Sequence, residues 1–308
     1  MISIVIPVYN EENNLEILNE KLLIVCKSFD TNYEIIYVDD GSNDESLEII
    51  KNFCNKNEEI HFISFYRNFG QHAAVMAGFE HAEGDLIMTL DADMQNPPEE
   101  IPKLIKKINE GYDIVSGQRI NRKDNFLRKV PSYFMNRIIS SLTGVKQKDY
   151  GCMMRVYKKE IVSKLLLYGE KSLYIPAFTS WLSKNSIEIP IQHDHRHAGK
   201  TKYSLLKLLR QAFDLITAYT LVPIQIIGIL GVIMFLIGIL LFIYLMYFRF
   251  IEGTTDPLTS FIAIIIFLSG LTLFALGIIS EYLVRLYNDA RKLPLYITKC
   301  SDYKKDTV

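Results

Sequence analysis

The segment Ile87-Met88-Thr89-Leu90-Asp91-Ala92-Asp93-Met94-Gln95-Asn96-Pro97-Pro98-Glu99-Glu100 reads as a strand, a turn and the start of a helix. Residues 87–90 lean apolar and predict a short buried strand. Asp91 and Asp93 then emerge at its carboxyl end, and Pro97 and Pro98 open the next helix. An open α/β sheet binds its ligand just beyond its strand ends. Two carboxylates one residue apart on such a turn can share a hard divalent cation, Mg²⁺ or Mn²⁺. That cation is the usual partner of a nucleotide diphosphate. Taken alone, the pair reads more readily as a solvated, capped turn, so the surrounding segments decide.

Working outward, strands are expected at residues 3–7, 34–38, 60–65, 86–90 and 113–117. Helical spacing occupies 12–29, with Leu15, Leu18, Leu22 and Val25 on one face, then 44–53, 71–80 and 99–109. Asp44 or Ser42 is the expected cap of the second helix. This alternation predicts an α/β fold with a mostly parallel sheet and helices on both faces. Three more polar loops then share the edge with Asp91 and Asp93. They are Pro7-Val8-Tyr9-Asn10-Glu11, Val38-Asp39-Asp40-Gly41-Ser42 and Arg67-Asn68-Phe69-Gly70-Gln71-His72. An acid closing the second strand can accept hydrogen bonds from a base or ribose, and Gly41 permits close approach or positive φ. The glycine-rich fingerprint of dinucleotide enzymes and the P-loop lysine are both missing from the sequence, which disfavours a dehydrogenase or a P-loop enzyme.

The 308 residues carry 34 basic and 35 acidic side chains, which argues against a nucleic-acid binder. Apolar residues are concentrated instead. No charge occurs within 221–248 or 258–280, and each run exceeds the roughly 20 residues that cross a bilayer core. Both are apolar on every face, unlike a helix that covers a soluble core. Lys and Arg flank the pair on both outer sides, from Arg196 to Arg210 and from Arg285 to Lys305, whereas 249–257 holds one Arg against Glu252 and Asp256. The charge bias puts both termini in the cytoplasm. The opening Met1-Ile2-Ser3-Ile4-Val5-Ile6-Pro7 lacks a basic leader and reads as a strand, not a signal peptide. Cys26, Cys54, Cys152 and Cys300 show no pairing or metal spacing, as in a reducing compartment. Residues 126–142 and 205–219 are amphipathic, and the second runs into the first spanning segment, as an interfacial helix would.

Further basic positions lie at Gly117-Gln118-Arg119, in Asp149-Tyr150-Gly151-Cys152-Met153-Met154-Arg155, and in Arg196-His197-Ala198-Gly199-Lys200-Thr201-Lys202. Guanidinium groups near a bilayer suit a lipid phosphate, although generic attraction to anionic headgroups accounts for them too. His193, His195 and His197 alternate, but the pattern is a poor metal tract because no cysteine lies nearby.

Together, Ile6-Pro7-Val8-Tyr9-Asn10-Glu11, Val38-Asp39-Asp40-Gly41-Ser42 and Asp91-Ala92-Asp93-Met94-Gln95-Asn96-Pro97-Pro98-Glu99 resemble the family 2 glycosyltransferases of the polyprenyl-phosphate type, such as dolichyl-phosphate mannose synthases. Arg67-Asn68-Phe69-Gly70-Gln71-His72, Met76-Ala77-Gly78-Phe79 and Asp149-Tyr150-Gly151-Cys152-Met153 are most similar to bacterial members acting with 4-deoxy-4-formamido-L-arabinose and undecaprenyl phosphate. The resemblance runs through nearly the whole chain. It implies a nucleotide-diphospho-sugar transferase fold over 1–202, an interfacial helix at 203–219, a transmembrane hairpin within 220–284 and a cytoplasmic tail at 285–308.

By that resemblance, Pro7, Tyr9, Glu11, Val38, Asp40 and Asp91 line the nucleotide. Asp91, Asp93 and Gln95 hold a divalent cation, Mg²⁺ or Mn²⁺. Arg119, Arg128, Ser132, Arg196 and Lys202 hold the lipid phosphate, and Asp93 and Asp149 are the catalytic carboxylates. Arg128 and Ser132 are four apart and share a face if helical. Met94 stands where Leu is common and Thr201 where Ser is, and neither change removes a needed group. The activity implied is inverting transfer of a UDP-linked sugar to undecaprenyl phosphate at the cytoplasmic membrane face, serving lipid A or another envelope glycan. The motifs do not fix the sugar: 4-deoxy-4-formamido-L-arabinose is the one the closer resemblance implies, with glucose or an amino sugar as alternatives, and homo-oligomerisation is compatible. A processive polysaccharide synthase would need a Gln-x-x-Arg-Trp motif, but the single tryptophan, Trp181, follows Ser180. A non-catalytic membrane scaffold would not need Asp91, Asp93, Arg119 and Arg196 intact.

Overall fold

A computed structural model describes residues 1–120, 149–168, 175–193 and 294–303, with isolated helical positions between 247 and 287. Strand β1 (Ile2–Val8) lies inside the sheet and is apolar on both faces, as a strand covered from both sides must be. Ile2, Ile4, Ile6 and Val8 join one core with Leu15, Leu18 and Leu22 of α1 (Glu12–Cys26). Ile50 and Phe53 of α2 (Ser46–Lys56), and Ile101, Leu104 and Ile108 of α4 (Ile101–Ile108), complete that face. Val5 points the other way, toward α3 (Gln71–His81). A β-carbon added at Gly78 of α3 would fall 2.2 Å from a Val5 methyl, so glycine sets that close approach. Each fully buried Leu or Ile contributes about 1.5–3 kcal/mol by leaving water.

β2 (Tyr33–Asp39) and β4 (Leu86–Thr89) flank β1 in parallel, and β3 (Ile60–Phe65) continues outward beside β2. β5 (Ile114–Arg119) does not pair with β4. An antiparallel strand, β6 (Arg155–Lys158), lies between them, and β7 (Ser186–Ile191) runs parallel to β5 at the border. Helices α5 (Lys159–Tyr168) and α6 (Ile175–Leu182) connect β6 towards β7. At the opposite border, β8 (Thr298–Ser301) pairs antiparallel with β3. The order is therefore β7-β5-β6-β4-β1-β2-β3-β8. The mostly parallel sheet with helices on both faces agrees with expectation. The antiparallel β6, the border strand β7 and the strand within the expected tail are additions.

Local details correct the sequence reading. α1 ends at Cys26, not at 29, because Ser28 and Phe29 donate to Val25 and Cys26 and tighten the chain. The fourth helix opens as a 3₁₀ turn, Pro98–Glu100. Ser42 does not cap α2. Nor does Asp44: the N-cap position is Glu45, without a side-chain cap, and Asp44 just before it accepts the Ser46 N–H at 3.0 Å.

The chain divides into two compact units, 1–208 with 294–308, and 209–293. Among the described residues no helix is long and apolar enough to cross a membrane. Both uncharged runs lie almost wholly outside the described residues, as do Arg128, Ser132, Arg196, Lys202, His195 and His197.

Candidate functional site

Every strand except β6 and β8 points its carboxyl end to one edge, and β6 begins there. Side chains at 91, 93 and 95 are half-buried, whereas Ala92, Met94 and Asn96 are buried. This alternation turns Asp91, Asp93 and Gln95 outward together. Met94 sits at φ 60°, a conformation uncommon for a non-glycine residue, and its side chain is anchored in the core. Asp93 Oδ1 accepts the Gln95 N–H at 3.1 Å, which closes the turn. Asp91 Oδ1 accepts from Gln71 Nε2 at 2.6 Å, across from the first turn of α3.

The loops after β1, β2 and β3 are tied to one another. Asn10, at φ 54°, donates its N–H to Ser42 Oγ, and Asn43 returns a bond to Asn10 Oδ1. Asp39 turns into the sheet, accepting from Ser42 N–H and Ser64 Oγ. Asp40 reaches sideways. Its carboxylate accepts the N–H groups of Phe69 at 2.7 Å and Gly70 at 3.0 Å. Only 3 % of Asp40 is exposed. Burial raises its pKa to about 6 against the lowering effect of those two N–H groups. Gly41 (φ +67°) lies under the same loop, and a β-carbon there would be 2.4 Å from the Arg67 carbonyl carbon. Pro7, Tyr9 and Glu11 are half-buried along this edge, whereas Val38 is fully buried.

On the far side of Asp91, Arg119 closes β5. Its Nε and Nη2 each donate to Asp149 at 2.7 Å, one to each carboxylate oxygen. The side chains are 13 % and 6 % exposed. Burial alone would lower the Arg119 pKa. The hydrogen bonds and charge of Asp149, with smaller help from Cys152 and Asp91, hold it above its ordinary value. The charge of Asp91 thus reaches the same guanidinium that Asp149 grips. Glu188 of β7 accepts the Asp149 N–H at 2.8 Å, and Arg155 donates to backbone carbonyls of the turn from 149 to 152.

The structure thus brings Pro7, Tyr9, Glu11, Asp40, Asp91, Asp93, Gln95, Arg119 and Asp149 to one edge. Gln71 and Glu188 enter only with the structure, and Arg155, expected as a basic position suited to a lipid phosphate, is instead fully buried and donates to backbone carbonyls of its own turn. Gln71 and Arg155 sit inside motifs quoted above, but no local pattern gives their partners. Among the described residues no three His, Cys, Asp or Glu side chains form a metal cluster. Asp91 and Asp93 supply two hard oxygen donors. That set fits a cation whose remaining ligands are water and substrate phosphate, as Mg²⁺ prefers.

Residues 3–166 match the model of a family described as glycosyl transferase family 2. The undecaprenyl-phosphate 4-deoxy-4-formamido-L-arabinose transferase of Photorhabdus laumondii is 42 % identical over 300 residues, covering 96 % of this chain and 92 % of that one. Its namesake from Proteus mirabilis is 42 % identical over 310 residues, covering 99 % and 95 %. Glucosyl-3-phosphoglycerate synthase from Mycobacterium tuberculosis, solved with Mn²⁺, UDP and glucosyl-3-phosphoglycerate, superimposes with a TM-score of 0.52 at 18 % identity, over 71 % of this chain and 80 % of that one. At that identity the likeness concerns the fold.

Proposed function

The chain belongs to glycosyl transferase family 2, and from that premise we propose that it transfers 4-deoxy-4-formamido-L-arabinose from UDP to undecaprenyl phosphate. The observation that carries this reading is one edge holding two outward carboxylates, Asp91 and Asp93, beside the Arg119 guanidinium clamped by Asp149. The first group suits a metal-bound diphosphate, and the second suits an anionic acceptor. The relatives carrying that activity in their names match 96–99 % of this chain and 92–95 % of their own, and the fold neighbour holds UDP with Mn²⁺.

Pro7, Tyr9 and Glu11 border the nucleotide, and Val38, whose side chain is fully buried, does so only through its backbone. Asp40 acts through the 66–70 loop, whose Phe69 and Gly70 N–H groups it holds. Asp91, Asp93 and Gln95 hold the divalent cation, with Gln71 fixing the carboxylate of Asp91. The cation, when bound, supplies neutralisation of the departing diphosphate. Arg119 orients the acceptor phosphate, joined by Arg128, Ser132, Arg196 and Lys202. The acceptor oxygen is already anionic, so no side chain has to remove a proton from it. Asp149 has both oxygens on Arg119 and serves as its counter-charge, not as a base. Orientation and charge placement then supply most of the rate, and attack opposite the leaving diphosphate inverts the anomeric carbon.

The anchor is the pair of uncharged runs, with both termini in the cytoplasm and product serving lipid A or another envelope glycan. Phe261, Ile265, Leu268, Leu276, Ile279 and Leu283 are exposed and spaced as one face of a helix, which supports contact with lipid.

The test uses detergent-solubilised full-length protein, undecaprenyl phosphate and a panel of UDP-sugars, read by mass spectrometry with Mn²⁺ and with EDTA. A lipid-linked formamido-arabinose product that needs the metal is expected. A glucose or amino-sugar product reassigns the donor, and no product from any member of the panel rejects the proposal.

A further inference from the structure

Arg155 heads the fully buried side chains by volume, with 0 % of its surface exposed. Burying a guanidinium carries a large desolvation cost unless its N–H groups find acceptors. Across the sheet it faces Thr89 on β4 and Ser116 on β5, neither of them charged. It opens β6, at the edge where the site lies. From there the guanidinium turns back over its own chain. Nε donates to the Cys152 carbonyl at 2.8 Å, and Nη2 donates to the carbonyls of Tyr150 and Asp149 at 3.2 and 3.3 Å. Three carbonyls of one short turn therefore converge on one planar fork.

The same turn holds Arg119 from two directions. Asp149 leaves it with both carboxylate oxygens on Arg119. Gly151 is exposed, and a β-carbon there would lie 3.1 Å from Arg119 Nη2, tighter than ordinary contact. The backbone shaped around Arg155 is thus the surface against which Arg119 is set. A lysine at 155 would keep the charge and the length but offer a point charge where a planar fork is needed.

We infer that Arg155 is a positioning residue for the acceptor: it fixes the 149–152 turn, and the turn fixes the guanidinium that receives the lipid phosphate. The inference rests on the reading that Arg119 meets that phosphate. Arg155 itself touches neither substrate. Its effect passes through Asp149 and Gly151, so it should appear in acceptor binding and not in donor binding. A residue that merely fills the core would disturb both together.

The test uses full-length Arg155→Lys, Gly151→Ala and Asp149→Asn, with the double variant Arg155→Lys/Asp149→Asn. Initial rates against undecaprenyl phosphate give the acceptor KM, and calorimetry with Mn²⁺ gives UDP affinity. Each single change should raise the acceptor KM by about tenfold, as expected when one charge-assisted contact is weakened. UDP affinity should stay within about twofold of wild type, and Arg155→Lys should add less than about twofold in the Asp149→Asn background, the signature of residues acting as a unit. Independent multiplication of the two effects, or parallel loss of UDP binding, overturns the inference. If Arg155→Lys does not melt cooperatively, Gly151→Ala addresses the turn from its exposed side, and an unchanged acceptor KM there overturns it equally. Amide exchange at 149–152 in Arg155→Lys needs no turnover. Faster exchange confined to the turn supports positioning and unchanged exchange rejects it, even if wild type proves to use another acceptor.

Discussion

Replacing Arg119 by lysine keeps a positive charge and removes a geometry. Arg119 meets Asp149 through two contacts of 2.7 Å, and the two side chains are 13 % and 6 % exposed, so solvent screens the pair little. A lysine ammonium can retain one of them. The loss is one charge-assisted hydrogen bond to a nearly buried carboxylate, about 2 kcal/mol. Spread over a catalytic unit of this size, that lowers Tm by about 4–8 °C. The guanidinium N–H groups not taken by Asp149 are lost as well, and at a similar cost the grip on a phosphate should weaken by about 30-fold, since each 1.4 kcal/mol is a factor of ten. Generic headgroup attraction predicts otherwise: it is worth about 1 kcal/mol per charge and does not distinguish lysine from arginine. The assay is initial rate against undecaprenyl phosphate at saturating UDP-sugar, with a thermal melt on the same sample. An acceptor KM within twofold of wild type, alongside the fall in Tm, would refute a phosphate role for Arg119 and leave it a purely structural partner of Asp149.

Two glycines should separate packing from function. Gly78→Ala pushes a methyl against Val5 and should cost about 1–3 kcal/mol in a thermal melt with unchanged KM values. Gly41→Ala, at φ +67° and against the Arg67 backbone, should raise the donor KM as well, and a normal donor KM would mean that the 66–70 loop does not shape the nucleotide pocket. Gln71→Leu should weaken Mn²⁺-dependent UDP binding by about 10–100-fold, the usual consequence of losing an outer partner of a metal ligand, with calorimetry as the check. Asp40 carries a sign that can be tested. Its pKa is raised from 3.8 to about 6, so between those values the native state holds a proton that the unfolded chain has released, and stability falls as pH rises through that window. Asp40→Asn should therefore melt higher than wild type at pH 7.5, with the gap closing toward pH 4, and a lower Tm at pH 7.5 would contradict the burial argument.

Periodicity was enough for the elements whose partners are neighbours in sequence. β1, β2, β3 and β4 announce themselves as short apolar runs, and the edge they build follows from their alternation with helices. Asp91 and Asp93 were legible because a strand end followed by Pro-Pro leaves little choice of conformation. Non-local choices were not legible. Nothing in Arg-Val-Tyr-Lys at 155–158 says that it inserts between β4 and β5 in the opposite direction. Thr298–Ser301 has no apolar run to mark it, since pairing with β3 and not side-chain burial makes it a strand. Asp39 and Asp40 look equivalent in sequence. Alternation along the strand sends one into the sheet and the other to the neighbouring loop.

The returning strand β8 has a bearing on how the molecule is made. It is held to β3 by ladder bonds, by Asp302 accepting the Phe62 N–H at 2.9 Å across 240 residues of sequence, and by Tyr296 stacked on Phe65 at 4.7 Å. During synthesis β3 emerges long before its cover. For that interval it presents an open row of N–H and C=O groups, the feature by which sheets recruit unwanted strands. The catalytic unit therefore reaches its final form only after both uncharged runs have left the ribosome, and a ribosome stalled between 209 and 293 would carry a nearly complete sheet with β3 as a raw edge. Such a nascent chain is where a chaperone or a protease would find its first foothold.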